Sequence, residues 1–421
     1  MRRTRVVLAA SLLAVAATVS GGCSAPSEDR TLVVLGPWAD GEEKPFVAAL
    51  KTIERRTGRS YVYKGTSSLR ETLLAQLQAG APPDVAILNS PGELAEYARA
   101  GDLFHLPDHV AGAAVPPWAP AVTLENENGE ARSRAYWAPV RVDLKSLVWS
   151  REATAGKKPD WCLGMGSGAT SGWPGTDWVE DLLLQRQGSG PYEDWATGKT
   201  PWKATRPAWE EWAALLAANG GKGGSLGEEA LASGFEQFDG GYGLLNRGDC
   251  THEHQGSFIR RHYGDDVLPT PTARFRNAEK SAAAGVYEVS GDMAAVFKPS
   301  PAAWDLLSRL TSRPARENWA GEAQPGERPY FPGGTVGDSP RSRSTQAVQD
   351  LFDAAGEVCL DASDAMPPTL RDAFHRAVLE FLGAPQDGEL LTRLLEQLEA
   401  ERMLQLADGA FVLDDLCDNP P

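Results

Sequence analysis

The sequence predicts an α/β protein built on a doubly wound, largely parallel sheet. Between residues 31 and 101, short apolar runs alternate with amphipathic segments in the order β-α-β-α-β. Such alternation is typical of parallel strands whose connecting helices pack on the faces of one sheet. At 421 residues the chain is also long enough for two domains, with ample residues to form a core.

The predicted elements of this first region follow from ordinary start and stop signals. Ser68 and Glu71 have the spacing of a capping box, and Gly58 and Gly101 each follow a helical pattern. The predicted strands are 31–35, 60–63 and 84–88, and the predicted helices are 45–57, 68–80 and 91–100. Ligands of doubly wound sheets bind beyond the carboxyl ends of the strands, which here carry the loops 36–43, 65–68 and 89–92.

A long extended segment, residues 136–149, carries charges within an apolar run. Arg141, Asp143 and Lys145 alternate along one face of the predicted strand. On a half-buried strand such charges meet either each other or a ligand. The sequence leaves both possibilities open.

Residues 161–181 combine tryptophans with a glycine-rich loop. Thr176 and Asp177 are the predicted N-cap residues of the apolar helix that follows. The loop allows backbone N–H groups to approach a ligand, it carries no Lys or Arg, and Trp173 and Trp178 offer flat apolar faces. This chemistry suits an uncharged polyol better than a phosphate. The alternative is a packed loop whose tryptophans belong to the core.

The remainder of the chain is predicted to be mixed and then mainly helical. The pattern shows no internal repeats or low-complexity tracts. The predicted elements are a tryptophan-rich helix around Trp209 and Trp212, a strand near Tyr242, a strand at 285–297, and helices at 344–358, 370–382 and 389–403.

The charge of the chain restricts its partners. The formal net charge is −16 at pH 7. An acidic surface repels phosphate backbones, which argues against nucleic-acid binding.

The N-terminus predicts export. Residues 1–22 have an arginine-rich start, a short apolar core at 6–19 and small residues before Cys23. The apolar core is too short to span a bilayer stably, as expected of a signal peptide. The position of Cys23 resembles a bacterial lipoprotein signal, in which this cysteine becomes the lipidated first residue and 23–30 a polar tether. Ordinary signal-peptidase cleavage is the alternative.

Four further cysteines predict two disulfides. They are Cys162, Cys250, Cys359 and Cys417. An even number in an exported chain allows three pairings. We favour Cys162–Cys250 and Cys359–Cys417, because each pair then staples one region and the second restrains the C-terminal tail. A zinc site is the other reading, but no C-x-x-C spacing supports it.

Catalytic and metal motifs fail on their details. Residues 198–200 resemble the end of a P-loop, but Glu193 stands where the motif needs glycine. Residues 223–227 match the nucleophile-elbow motif formally. That motif needs a strand before it and a helix after it, whereas these residues lie in a glycine-dense stretch that is predicted to be a surface loop. His252 and His254 could share a strand face and bind zinc, but two ligands are too few without others. We therefore expect no cofactor, no metal and no enzymatic activity.

The chain resembles the extracellular solute-binding proteins of bacterial carbohydrate ABC importers, especially the α-glucoside and maltose binders. The resemblance is carried by SGATSGWPGTDWVED from Ser167, by Cys162 with CTHEHQGSF from Cys250, and by LDASDAMPP from Leu360. It covers nearly the whole mature chain. It implies a two-lobed periplasmic-binding-protein-like fold of type II, in which each lobe is a doubly wound sheet flanked by helices.

The resemblance also implies where the lobes divide. Lobe 1 is expected to comprise 31–141 plus 285–331, and lobe 2 is expected to comprise 142–284 plus 332–421. Hinge crossings are expected near 140–146, 281–286 and 331–335. Closure of the lobes over a sugar would be a hinge motion.

Site residues are carried over position by position. The loop 36–43 matches the first ligand loop of the family, so Trp38 is expected to stack on a sugar and Asp40 or Glu42 to bind hydroxyls. The other expected ligand-binding residues are Asn89, Ser90, Asp143, Trp173, Pro174, His254, Gln255, Phe331 and Gly334. The family tends to have Phe-Trp where Phe374-His375 stands here, which removes one stacking platform and argues against long glucans.

The function implied by the resemblance is capture of an α-glucoside-like di- or oligosaccharide. A lipid-anchored monomer would deliver this sugar to the transmembrane subunits of an ABC permease. The alternatives are a secreted glycoside hydrolase, which needs two carboxylates facing each other about 5 to 10 Å apart, and a metal-binding lipoprotein.

Overall fold

The computed structural model describes residues 31–125, 128–218, 225–275, 285–334, 336–337 and 341–420. The predicted signal peptide, Cys23 and the tether lie outside the described residues. So do most of the predicted crossing at 281–286 and Thr335 of the crossing at 331–335. Among the helices that the structure describes, none is both long enough and apolar enough to cross a membrane.

Strands and helices alternate through much of the chain. The strands are β1 (Leu32–Gly36), β2 (Tyr61–Gly65), β3 (Val85–Leu88), β4 (Val122–Glu125), β5 (Ala131–Arg134), β6 (Trp137–Leu144), β7 (Leu147–Arg151), β8 (Trp161–Cys162), β9 (Gln237–Phe238), β10 (Gly241–Tyr242), β11 (His252–His254), β12 (Val267–Pro271), β13 (Val286–Val296), β14 (Glu357–Leu360) and β15 (Cys417–Asp418). The helices are α1 (Lys44–Thr57), α2 (Leu69–Gln78), α3 (Pro91–Ala100), α4 (Asp108–Ala111), α5 (Trp173–Gln187), α6 (Ser189–Ala196), α7 (Arg206–Ala217), α8 (Ser225–Ala232), α9 (Pro301–Leu310), α10 (Arg313–Glu322), α11 (Arg343–Ala354), α12 (Ala362–Ala365), α13 (Pro368–Gly383) and α14 (Gly388–Ala407).

The N-terminal region forms the parallel sheet that its pattern predicts. β1 lies between β2 and β3 and is parallel to both, with α1 and α2 as the crossover helices. The apolar residues of α1 at helical spacing, Phe46, Ala49, Leu50 and Ile53, are all buried. The β-α-β-α-β prediction is therefore confirmed.

Two long strands, β6 and β13, connect this sheet to the rest of the molecule. β13 is antiparallel to β3 at Met293–Val296 and parallel to β14 at Val286–Val289. It therefore joins the N-terminal strands and the C-terminal strands in one sheet. β6 is antiparallel to β13 over nearly its whole length. The sheet has the order β15-β14-β13-β3-β1-β2, and β6 pairs with β13.

The predicted strand 136–149 is two strands in different sheets. Ser146, with φ 59°, separates β6 from β7. A left-handed backbone at this residue redirects the chain. β7 then pairs with β11 and β12, and the second sheet has the order β12-β7-β11-β8. Periodicity did not reveal the break, because apolar residues continue on both sides of it.

Other boundaries were also wrong. The helix after the glycine-rich loop begins at Trp173, with Gly172 as the residue before it, so Thr176 and Asp177 are not its N-caps. Gly172 has φ 107°, and a Cβ there would lie 2.5 Å from the carbonyl oxygen of His375. The helix predicted at 344–358 ends at Ala354, because its last residues form β14.

Both favoured disulfides are present. Cys162 pairs with Cys250 and Cys359 pairs with Cys417. The first connects β8 to Cys250, which lies two residues before β11 of the same sheet. The second joins β14 to β15 and holds the C-terminal tail on the first sheet. The predicted pairing is confirmed. Because all four cysteines are in disulfides, they do not form the alternative zinc site.

Candidate functional site

A polar cavity lies where β6 and β13 run past the start of α5 and the segment around α12. It has two adjoining compartments that share Arg141, Asp143 and Phe258. The inner compartment has a volume of about 270 Å³. The outer compartment has a volume of about 460 Å³. Together they fall in the range of about 300–1,000 Å³ that is usual for small-molecule sites.

Five of the expected ligand-binding residues line this cavity. Asn89 and Trp173 line the inner compartment, Asp40 and Glu42 the outer one, and Asp143 both. Asn89 directly follows β3, and Asp40 and Glu42 follow β1, as binding beyond the carboxyl ends of parallel strands requires. The structure therefore brings together residues from distant parts of the chain.

Trp38 lies in the core and does not line the cavity. Its residue exposure is 2 %, and its ring packs against Phe46 and Trp319 at centroid distances of 4.8 and 5.0 Å. Phe331, 1 % exposed, also packs against Trp319, and Gly334 forms a backbone bridge to Phe331. These three residues were expected to bind ligand. Trp38 and Phe331 are buried in this packing and none of the three lines the cavity, so the structure does not support a ligand role for them.

Ser90, Pro174, His254 and Gln255 also lie off the cavity wall. The Ser90 hydroxyl accepts a hydrogen bond from the Glu93 N–H and donates one to the Asp364 carbonyl, so it caps α3. The other three line a separate small hollow. Because the Ser90 hydroxyl gives its hydrogen to the Asp364 carbonyl, it has none left for a ligand.

The two histidines of β11 have separate partners. His254 Nε2 lies 2.8 Å from an Asp181 oxygen, and its ring stacks on Trp178 at 4.3 Å. His252 Nδ1 lies 2.8 Å from the Thr251 hydroxyl. Within the described ranges, no group of three His, Cys, Asp or Glu residues could hold a metal ion.

Trp173 presents its indole to the inner compartment. It is half-buried, and it packs against Phe235 at 4.9 Å and Phe258 at 6.0 Å. These two neighbours also line the inner compartment. The result is an aromatic wall in a compartment that carboxylates and the Asn89 amide also line. Such a wall can cover the C–H face of a pyranose.

Beside Trp173 lies a buried ionic group that was not predicted from the sequence. The Lys145 ammonium contacts an Asp361 oxygen and lies 2.9 Å from Asp177 Oδ2. It also lies 5.4 Å from the centre of the Trp173 ring. All four residues line the inner compartment. Lys145 was noticed in the sequence, but its partners come from α5 and from the residue after β14.

Burial and charge act in opposite directions on the pKa values of this group. Burial lowers the pKa of Lys145, but Asp177 and Asp361 outweigh burial and hold it well above the ordinary value. Burial raises the pKa of Asp177, and Lys145 offsets this only in part. Burial also raises the pKa of Asp361, but the ammonium and hydrogen bonds outweigh it and lower the pKa. Lys145 is therefore an ammonium.

The neck between the compartments is also ionic. Arg141 Nε donates to Asp292 at 2.6 Å, and its Nη1 donates to Glu42 at 3.0 Å. Asp143 accepts a hydrogen bond of 2.6 Å from the Ser257 hydroxyl. These side chains come from β6, β13, the loop after β1 and the residues after β11, so the two long strands position most of the neck. Gly291 of β13 is necessary here, since a Cβ would lie 2.6 Å from the Arg141 carbonyl oxygen.

His375 replaces the tryptophan expected at its position, and it lines the inner compartment. Burial and the Arg371 guanidinium lower the pKa of His375 to about 4. The imidazole is therefore neutral at pH 7. It offers one donor and one acceptor, as a hydroxyl-binding site can use.

The fold is that of the two-lobed periplasmic binding proteins of type II. A family model of the bacterial extracellular solute-binding proteins matches residues 59–317. The chain belongs to this family. Its members bind solutes, so the prediction of a binding protein in place of an enzyme is confirmed.

Particular relatives have informative names. The chain is 28 % identical to the alpha-glucosides-binding periplasmic protein AglE of Rhizobium meliloti, over 86 % of this chain and 85 % of that protein. It is 25 % identical to the osmoprotective compounds-binding protein GgtB of Synechocystis, over 91 % and 96 %. A structure from work on xylan utilization by Caldanaerobius polysaccharolyticus has a TM-score of 0.66 at 15 % identity, covering 88 % of this chain and 100 % of that one.

Proposed function

We propose that this protein is the sugar-binding component of an ABC importer. It captures a neutral, α-glucoside-like di- or oligosaccharide in the inner and outer compartments and delivers it to the transmembrane subunits of a permease. The observation that carries the proposal is the half-buried Trp173 ring in the same cavity as Asn89 and Asp143. The name of the R. meliloti relative supports the choice of sugar class.

The chemistry of the cavity favours a neutral solute. The cations Arg141 and Lys145 are already paired with carboxylates, so they offer little free positive charge to an anion. Hydroxyls can both donate to the carboxylates and accept from the remaining N–H groups. The apolar face of a sugar ring is matched by Trp173.

Closure of the two lobes is part of the proposal. Lobe 1 would comprise 31–141 plus 285–331, and lobe 2 would comprise 142–284 plus 332–421. β6 would cross between them, and β13 would begin at the boundary, where it pairs with β14 of lobe 2 as well as with β3 of lobe 1. Hinge bending at such strands would shut the cavity around the sugar. Removing water in this way strengthens the hydrogen bonds to the sugar. The permease would then recognise the closed form.

Calorimetry on the mature protein tests the proposal. We expect maltose, sucrose or trehalose to bind at least about tenfold more tightly than the β-linked controls cellobiose and lactose, a difference of about 1.4 kcal/mol. Tighter binding of the β-linked sugars would reject the α-glucoside assignment. Absence of binding by every mono-, di- and trisaccharide in a thermal-shift screen would reject sugar binding altogether.

The membrane anchor belongs to the same proposal. Lipidation of Cys23 would hold the protein on the outer face of the cell membrane as a monomer beside the permease. Two acyl chains suffice for stable anchoring, whereas one does not. Cys23→Ser should move the protein from the membrane fraction to the soluble fraction of expressing cells. Equal partition of both forms would favour ordinary signal-peptidase cleavage.

A further inference from the structure

The group formed by Lys145, Asp177 and Asp361 is unbalanced. One ammonium faces two carboxylates, and all three side chains are at most 6 % exposed. Buried ion pairs are stable only when each charge and each lone pair has a partner. Here one carboxylate exceeds the positive charge, so the group has an unmet requirement for hydrogen-bond donors.

The unmet requirement falls on one oxygen. Asp177 Oδ2 bonds to Lys145, whereas Asp177 Oδ1 is buried and has no hydrogen-bond partner among the described residues. Asp361 differs, because its Oδ1 accepts from the Asp364 N–H at 3.0 Å and from the Ser363 hydroxyl at 2.9 Å. Both carboxylate oxygens of Asp361 thus have partners within the protein, whereas Oδ1 of Asp177 has none among the described residues.

Lys145 has a matching free donor. An ammonium carries three N–H groups, and the two carboxylates account for two of them in the described part of the chain. The same ammonium lies 5.4 Å from the centre of the Trp173 ring. Because the ammonium lies over the Trp173 ring, a solute that contacts this ring also lies close to the free donor and to Asp177.

A donor and an acceptor side by side select the chemistry of the ligand. A hydroxyl can donate to a carboxylate and accept from an ammonium at the same time. A ligand ammonium can only donate, so it would leave the free N–H of Lys145 without an acceptor, and a ligand carboxylate would meet two others. A neutral hydroxyl completes the group without adding charge.

We propose that Asp177 and Lys145 are specificity-determining residues, which bind one hydroxyl of the solute, or two adjacent ones, at the base of the inner compartment. This rests on the proposed function, since it assumes a hydroxylated ring on Trp173. Asp361 is a positioning residue that holds the ammonium. In the proposed complex the Asp177 carboxyl turns so that Oδ1 faces the ligand.

A double-mutant cycle between protein and ligand tests this. Affinities of the wild type and of Asp177→Asn are measured by calorimetry for the tightest-binding α-glucoside and for its singly deoxygenated analogues. We expect Asp177→Asn to weaken binding of the parent sugar at least about tenfold. We expect one analogue, which lacks the contacted hydroxyl, to bind both proteins equally. Asp194→Asn, an exposed carboxylate on α6, is the matched control and should change nothing.

The outcomes separate this inference from the proposed function. Equal losses for Asp177→Asn with every analogue, or no loss at all, would overturn the inference while leaving sugar binding intact. Failure of the wild type to bind any sugar would overturn both.

A ligand-side arm avoids the risk that Asp177→Asn does not fold. In the wild type, the amino analogue at the critical position should bind more weakly than the parent sugar, because an ammonium can donate to Asp177 but cannot accept from Lys145. Tighter binding of the amino analogue would show that the group recognises a cation, and the inference would be wrong.

Discussion

The carboxylate of Glu42 lies 2.8 Å from the guanidinium of Arg261 across the outer compartment. Glu42 follows β1, and Arg261 lies in the turn of helix at Ser257–His262. Arg141 binds the same Glu42 oxygen, and Arg261 also binds Glu236 at 2.7 Å. Burial raises the pKa of Glu42, but the two arginines outweigh burial and lower it. Glu42 is therefore an ionised bridge between the two walls of the outer compartment.

This bridge predicts a salt-dependent affinity. Partly exposed pairs contribute up to about 1 kcal/mol, which is about fivefold in a dissociation constant. Glu42→Gln should weaken sugar binding by no more than this and should remove most of its dependence on sodium chloride. Calorimetry at low and high salt measures both effects. Glu71→Gln, an exposed carboxylate on α2, is the control. A loss of a hundredfold or more would instead indicate that Glu42 binds the sugar directly.

Trp173 and Trp38 form a matched pair of substitutions. Trp173→Ala should weaken sugar binding by more than about 1 kcal/mol, or about fivefold, from lost stacking. Trp38→Ala should instead lower the free energy of unfolding by about 3–5 kcal/mol, because the ring is 2 % exposed in the core. Denaturant titration and calorimetry of both variants separate the two effects. Unchanged affinity in Trp173→Ala would remove this residue from the site.

Local pattern was enough for the first sheet and for part of the site. The strands β1, β2 and β3 are short apolar runs bounded by turn residues, so their order follows from the alternation with helices. The loops that carry Asp40, Glu42 and Asn89 could be placed because loops after parallel strands share one edge of a sheet. The resemblance assigned ligand roles to these three residues and to Asp143, whereas Trp173 was already indicated by its own glycine-rich loop.

The remaining features depend on contacts between distant segments. Trp38 is buried because α10 brings Trp319 against it, and nothing near Trp38 in the sequence announces this. Lys145 meets Asp361 because β14 lies beside β13, a pairing that sequence periodicity does not specify. The sequence predicted Asp177 as an N-cap residue. Because α5 begins at Trp173, Asp177 instead lies inside the helix and its carboxylate contacts the Lys145 ammonium.

Reduction of the disulfides should destabilise the protein. The pairs close loops with sequence separations of 88 and 58 residues. Chain-entropy arguments give each an upper contribution of about 4–5 kcal/mol to the free energy of unfolding. We expect a reducing agent to lower the melting temperature. The double variant Cys359→Ser, Cys417→Ser should also have a lower melting temperature, but it should retain sugar binding because neither residue lines the cavity. Four free thiols in the oxidised mature protein would contradict the pairing.

Glu253 predicts that the protein becomes less stable as the pH rises. Burial raises the pKa of Glu253 to about 8, although the hydrogen bond from the Tyr263 hydroxyl opposes this. The folded state therefore keeps a proton that the unfolded state releases near its ordinary value of 4.5. The stabilisation is complete below that value and is lost as the pH rises towards 8, at up to about 1.4 kcal/mol per pH unit.

Glu253→Gln should reduce this slope, because a glutamine keeps the bond from Tyr263 and cannot ionise. Urea denaturation at pH 5.5, 6.5 and 7.5 gives the free energy of unfolding of both proteins. The variant should gain stability relative to the wild type as the pH rises, whereas the exposed Glu229→Gln should follow the wild type. Other buried acids, including Glu180 and Glu288, have pKa values raised by burial, so part of the slope should persist. Identical slopes for Glu253→Gln and the wild type would mean that Glu253 is ionised in the folded protein.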